Sequence, residues 1–181
     1  LAGRFAVAKL MQKRLTLRRS LAAGLGHGGI EAMIIVGITY INNLAYIAMI
    51  NSGSFDAVVA QTAALGVDVS QLELIRTQLV SASPALFLLA GFERILAMTG
   101  HVAMSVLVCY GVAHKKTGIC VLLCLGIHTL MDLTAGISLI LPQSIAYPNI
   151  YVILIVMAAV SVLLLKRIRR SWKEVSHDLE E

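Results

Sequence analysis

Three histidines lie inside long apolar stretches of this chain, and two of them carry a carboxylate one helical turn later. His27 is followed by Glu31 in Gly26-His27-Gly28-Gly29-Ile30-Glu31, and His128 by Asp132 in His128-Thr129-Leu130-Met131-Asp132. The third, His101, stands in Met98-Thr99-Gly100-His101, with Glu93 and Arg94 upstream. On an α-helix, positions i and i+4 share a face. Each pair therefore aims two metal ligands or two proton carriers at one point. Ionisable groups inside a hydrocarbon-spanning helix are costly, which makes them candidates for a functional site. Neutral imidazole beside carboxylate suits Zn2+ and other borderline metals. A catalytic zinc would keep one position open and lower the pKa of a water there. A single intramembrane histidine can also serve only to hydrogen-bond a neighbouring helix.

The helices that must carry these groups are legible in the composition. Of 181 residues, 58% are hydrophobic and 14% charged, and the mean hydropathy is +0.83. A soluble domain carries about 25% charged residues, so this chain is solvated largely by lipid. Crossing a hydrocarbon core of about 30 Å takes roughly 18 or more apolar residues, and several such runs are present. The expected fold is all-α, a polytopic transmembrane helical bundle forming a single membrane domain over 1–181. Residues 1–12 read as the end of one helix, followed by a basic connector containing Lys13, Arg14, Arg18 and Arg19. Spans are expected at about 20–49, 84–113, 117–141 and 150–165. Asn42-Asn43 marks where the first of them leaves the hydrocarbon. The more polar segment 51–83 reads as two short helices at or outside the membrane surface. Within it, Ser70-Gln71-Leu72-Glu73 has the pattern of a capping box, and Ser83-Pro84 ends the helix. Residues 142–149 are expected to form a loop. The first twenty residues are basic and lack the apolar core of a signal peptide.

Orientation follows from the Lys/Arg bias of short loops. The connector at 9–19, the turn at 114–116 and the tail at 166–173 are basic, whereas 51–83 and 142–149 together carry one Arg and no Lys. Four spans place the three basic segments on one side, which is cytoplasmic and includes the tail 166–181. The net charge of +5 thus belongs to membrane boundaries and not to a nucleic-acid interface. At a rise of about 1.5 Å per residue, His27, His101 and His128 all fall roughly 10–18 Å below the cytoplasmic boundary. A shared polar cavity in that half of the bilayer is the simplest expectation.

The remaining polar residues have plainer roles. Gly26, Gly28 and Gly29 allow close helix approach. Arg94 precedes His101 by seven residues, roughly on its face, and with Glu93 reads as a mutual or interhelical ion pair that fixes register. Cys109, Cys120 and Cys124 read as small core residues. His114, in a turn, and His177, in the tail, are expected to be solvated.

Gly26-His27-Gly28-Gly29-Ile30-Glu31-Ala32, Phe92-Glu93-Arg94 with His101, and His128-x-x-x-Asp132 together resemble the YhfC family of intramembrane metalloproteases. That family is similar in turn to the type II CAAX prenyl endopeptidases (the CPBP, or Rce1-like, group) and to the γ-secretase subunit APH-1. The resemblance covers nearly the whole chain and implies an Rce1-like helical core. It makes His27 the histidine of the second motif, His128 with Asp132 the final motif, and His101 the additional histidine on the intervening helix. Leu1-Ala2-Gly3-Arg4 matches the x-x-x-Arg end of the first motif, so the resemblance implies that Arg4 supports the site and that the catalytic glutamate pair, one member of which would activate the attacking water, is expected just before Leu1 and is missing from this chain. The chain, which opens without Met, accordingly reads as N-terminally truncated. Position 23 is Ala where the wider group often has Phe, and the last motif has Asp for Asn.

The function implied is hydrolysis of a peptide bond in or beside the bilayer. His27, Glu31, His101, His128 and Asp132 would be the catalytic groups, with Arg4, Glu93, Arg94, Gly28 and Gly29 in support. The metal would be Zn2+ on His27, His128 and His101. The substrate would be a membrane-anchored peptide or protein, and the setting an integral membrane protein of a bacterial or archaeal plasma membrane. Two other functions use the same residues. One is a non-enzymatic, APH-1-like scaffold that holds a partner's transmembrane segment; the other is a proton-coupled transporter with a His/carboxylate relay.

Overall fold

The structure, a computed structural model, describes residues 1–138 and 140–172. It contains no strand among the described residues. Helix α1 (Ala2–Leu10) is followed by a 3-10 turn at Gln12–Arg14 and by α2 (Leu17–Ala32). A π-helical turn, Met33–Gly37, joins α2 to α3 (Ile38–Ser52) without a break, so that Leu17–Ser52 is one continuous helix. Gly53, at φ +76°, ends it in the left-handed conformation that glycine adopts at no steric cost. Then come α4 (Ser54–Ala64), α5 (Ser70–Ser81), α6 (Pro84–Ala113), α7 (Thr117–Ser138) and α8 (Gln143–Ser171). Four helices among the described residues are long and apolar enough to cross a bilayer: Leu17–Ser52, Pro84–Ala113, Thr117–Thr134 and Ser144–Ser171. They differ in burial. Of the most apolar window, 67% is buried in α6, against 0%, 11% and 6% in the others. Helix α6 is therefore central, and the others present apolar side chains outward, as helices solvated by lipid do.

The chain divides into two compact units, Leu1–Ile30 with Phe92–Glu181, and Glu31–Gly91. In the first, every residue of α6 from Gly100 to Cys109 is buried. A helix buried all round has no solvent stripe, and its neighbours approach it through small residues. The buried residues of α2 are Ser20, Gly24 and Gly28, at i, i+4 and i+8. A Cβ on Gly24 would lie 2.8 Å from Val102 Cα, and one on Gly28 would lie 2.7 Å from Met98 Sδ and 3.0 Å from His101 Cβ. On another side a Cβ on Gly111 would meet Cys120 Cβ at 2.7 Å. Without water to drive association between helices in lipid, such close backbone packing carries much of the stability. All three cysteines are free and buried, in the core with Met104, Val106 and Val108.

In the second unit, α3 packs on α4 and α5. Phe55, 1% exposed, meets the Tyr46 ring edge-on at 6.1 Å. Arg76 lies over the Phe55 ring and pairs with Asp56 at 2.6 Å; exposed pairs of this kind contribute about 0–1 kcal/mol.

Three local expectations need correction. The capping box at Ser70–Glu73 does not form, because Asp68 accepts both the Ser70 amide (2.9 Å) and hydroxyl (2.8 Å), leaving that hydroxyl turned away from Glu73. These bonds, the amide first, hold the Asp68 carboxyl below its usual range. Residues 143–149 are helical, not loop: α8 starts at Gln143 after Pro142 and carries Pro148 in its second turn, where one lost backbone bond is tolerated near the helix end. His114 is not simply solvated. It is half-buried, stacks on Tyr110 at 4.1 Å and meets Trp172 edge-on at 5.8 Å, because the end of α8 folds an indole onto the α6 terminus. His177 and the rest of the tail from 173 lie outside the described residues.

Candidate functional site

The central helix carries the central residue. His101 is 8% exposed and has another histidine on each side. The His27 ring on α2 has its centroid 6.2 Å away, and the His128 ring on α7 lies 5.7 Å away, edge to face. The absence of a side chain at Gly28 lets α2 come this close. Gly100 does the same on the α7 side, where a Cβ would meet Met131 Sδ at 3.4 Å. Ser105, one turn after His101, donates its hydroxyl to the His101 carbonyl at 2.9 Å and lies opposite Gly24.

Helix α1 supplies a fourth group. Arg4, 3% exposed, donates from Nη2 to His101 Nδ1 at 2.6 Å. A guanidinium has only donors, so Nδ1 is the acceptor and neutral His101 carries its proton on Nε2. His128 has the opposite arrangement. Its Nδ1 lies 2.8 Å from Asp132 Oδ2. Neutral His128 donates there and keeps the Nε2 lone pair for a proton or a metal. Neighbouring rings thus present one N–H and one lone pair. The Asp132 side chain is 71% exposed, which leaves this pair open on one side.

Glu31 lies one turn beyond His27 on α2. His27, Glu31 and His101 each offer a ligand atom, and these atoms lie within 4.8 Å of one another. Two imidazoles and a carboxylate are the donor set of a borderline metal such as zinc, so the residues fit such an ion. His128, expected among the ligands, stands outside this close group, and Glu31 stands inside it. Of the supporting residues, Gly28 is in contact, whereas a Cβ on Gly29 would meet nothing within 4 Å. Glu93 and Arg94 bond to each other. The direct Arg4–His101 bond was not foreseeable from spacing, since 97 positions separate the partners. The small-residue period Ser20, Gly24, Gly28 was a readable sign of the α2–α6 contact.

The family model described as YhfC intramembrane metalloprotease matches residues 2–157. A Bacillus subtilis (strain 168) protein named "Uncharacterized membrane protein YhfC" is 35% identical over 116 residues, which is 63% of this chain and 43% of that protein. The chain thus matches less than half the length of this relative. No solved structure matches it.

Proposed function

The chain belongs to the YhfC intramembrane metalloprotease family, and from that premise we propose that it hydrolyses a peptide bond of a membrane-anchored substrate within the bilayer. It is an integral membrane protein with an all-α bundle. The observation that carries the proposal is the pairing of a His27–Glu31–His101 donor cluster with a hydrogen-bonded His128–Asp132 dyad beside it. Such a collection of ionisable groups among apolar helices is costly, which favours a functional site over a structural one.

Each residue has a part that its bonding suggests. Asp132 fixes the His128 tautomer and stabilises the imidazolium that forms when Nε2 takes a proton, the role a carboxylate has behind any catalytic histidine. His101, with Nδ1 held by Arg4, offers an N–H to an oxygen that gains negative charge. His27 and Glu31, together with His101 where the metal takes its Nδ1 from Arg4, would hold Zn2+, which when bound supplies Lewis acidity toward an oxygen. The buried Arg4 adds positive charge next to His101. On the stretch of α7 that carries Asp132 in sequence, Leu130, Leu133 and Thr134 face Asn149, Ile150 and Ile153 of α8 across an apolar groove of about 250 Å3. That groove suits an apolar peptide segment. We infer from the Lys/Arg bias of the short connections that the C-terminus is cytoplasmic.

The test uses the full-length protein. Bound metal is measured with and without chelator, and cleavage of membrane-anchored peptides is compared with that by His27→Ala and His128→Ala. Undiminished cleavage by both variants would exclude this site. A silent wild type whose variants lose complex assembly would favour a scaffold, and proton-linked uptake in proteoliposomes would favour a transporter.

A further inference from the structure

Where α1 hands over to α2, the first unit holds a basic pocket remote in character from the histidine site. Lys9, Lys13, Arg14 and Arg19 line a cavity of about 630 Å3 together with Leu10 and Met11. None of its lining residues is acidic. Four cations facing one space without a carboxylate among them repel one another, and an anion from outside relieves that repulsion. The pocket is also held in shape. Arg19 Nη1 donates to the Arg14 carbonyl at 2.6 Å, and its backbone N–H bonds to Thr16 Oγ1 at 3.3 Å. Lys9 rests over the Phe5 ring at 5.7 Å.

Two features narrow the anion. The pocket immediately precedes Leu17, where a helix long and apolar enough to span the bilayer begins, which is the depth of lipid headgroups. Leu10, 87% exposed, adds an apolar surface beside the cations. A headgroup joined to an acyl chain uses both. A second basic pocket, at Lys166, Arg167 and Arg170 on α8, is followed in sequence by Glu174, Asp178, Glu180 and Glu181, so its own segment carries counter-charge. We propose that the α1–α2 pocket binds the phosphate headgroup of an anionic phospholipid, with Lys9, Lys13, Arg14 and Arg19 around the phosphate and Leu10 against the chain.

Native mass spectrometry of the full-length protein in neutral detergent tests this with phosphatidylglycerol, phosphatidylcholine and inorganic phosphate. The expected result is one retained phosphatidylglycerol, no retained phosphatidylcholine, and no displacement by phosphate at the same concentration. Lys9→Gln with Lys13→Gln should weaken retention by roughly thirtyfold, about fivefold for each boundary charge. Lys166→Gln with Arg167→Gln should leave it unchanged. The single variants Lys13→Gln and Arg14→Gln, each about fivefold weaker, keep the test readable if the double variant does not fold. Equal retention by wild type and the α1–α2 variants would overturn the proposal, as would equal loss in the α8 variant. Displacement by free phosphate would reassign the pocket to that ion and overturn the lipid assignment.

Discussion

Arg4 donates to Nδ1 of His101 at 2.6 Å, joining a helix at the start of the chain to the buried centre of α6. This bond engages the only lone pair that neutral His101 has. A metal at His27, Glu31 and His101 therefore competes with Arg4 for the same ring. It also meets the charge of the buried guanidinium: even with the full screening of water as a lower bound, a unit charge close to a dication costs about 1.4 kcal/mol, a factor of ten. Arg4→Gln is accordingly predicted to tighten zinc binding at least about tenfold in a chelator competition. Weaker or unchanged binding would remove His101 from the ligand set.

Gly24 and Gly28 should respond differently to alanine. At Gly24 the new methyl meets the Val102 Cα, which cannot move without α6; at Gly28 it first meets the far end of the flexible Met98 side chain. Gly24→Ala is expected to cost about 1–3 kcal/mol, as overpacking does, and Gly28→Ala less. Gly29→Ala, where nothing lies within 4 Å, should be neutral or gain up to about 1 kcal/mol of helix propensity. Thermal unfolding in detergent ranks the three, and a Gly29 variant as damaged as the Gly24 variant would refute the contact assignment.

Asp132→Asn keeps the shape of the dyad and loses the carboxylate that selects the His128 tautomer. Cleavage is predicted to fall about 10–100-fold, the usual effect of losing a carboxylate behind a functional histidine, with bound metal unchanged. Loss of metal instead would make His128 a ligand after all.

His27→Ala and Glu31→Gln should each reduce bound zinc, and a chelator should reproduce their loss of cleavage in the wild type. Elemental analysis and a peptide cleavage assay read both. Full zinc content in either variant would break the His27–Glu31–His101 cluster as a metal site.

His114 offers a check remote from the chemistry. Its stack on Tyr110 at 4.1 Å is worth about 0.5–1.5 kcal/mol beyond area burial. His114→Ala should lower unfolding stability by that amount and leave cleavage intact; a drop in activity without a drop in stability would place His114 in the functional machinery.

The apolar runs, the basic segments and the i, i+4 pairs were all visible in one dimension, because lipid solvation and helix periodicity act locally. From them the helical class and the candidate histidines could be read directly. Turn chemistry is less legible in one dimension. Asp68 took the bonds expected of a capping box, and α8 began before Pro148, since a proline near a helix start looks from sequence like the end of a loop.

What sequence by itself determined is which groups are too polar for their surroundings and which helix faces they occupy. Tertiary structure decided how they divide: His128 to Asp132, His27 to Glu31, and His101 between them with Arg4 on its Nδ1. Helical periodicity sets neighbours four residues apart, but only close packing through Gly24 and Gly28 decides which residue of α6 lies against α2. That packing, and an arginine arriving from 97 positions away, selects the protonation of each ring and so what each histidine can do.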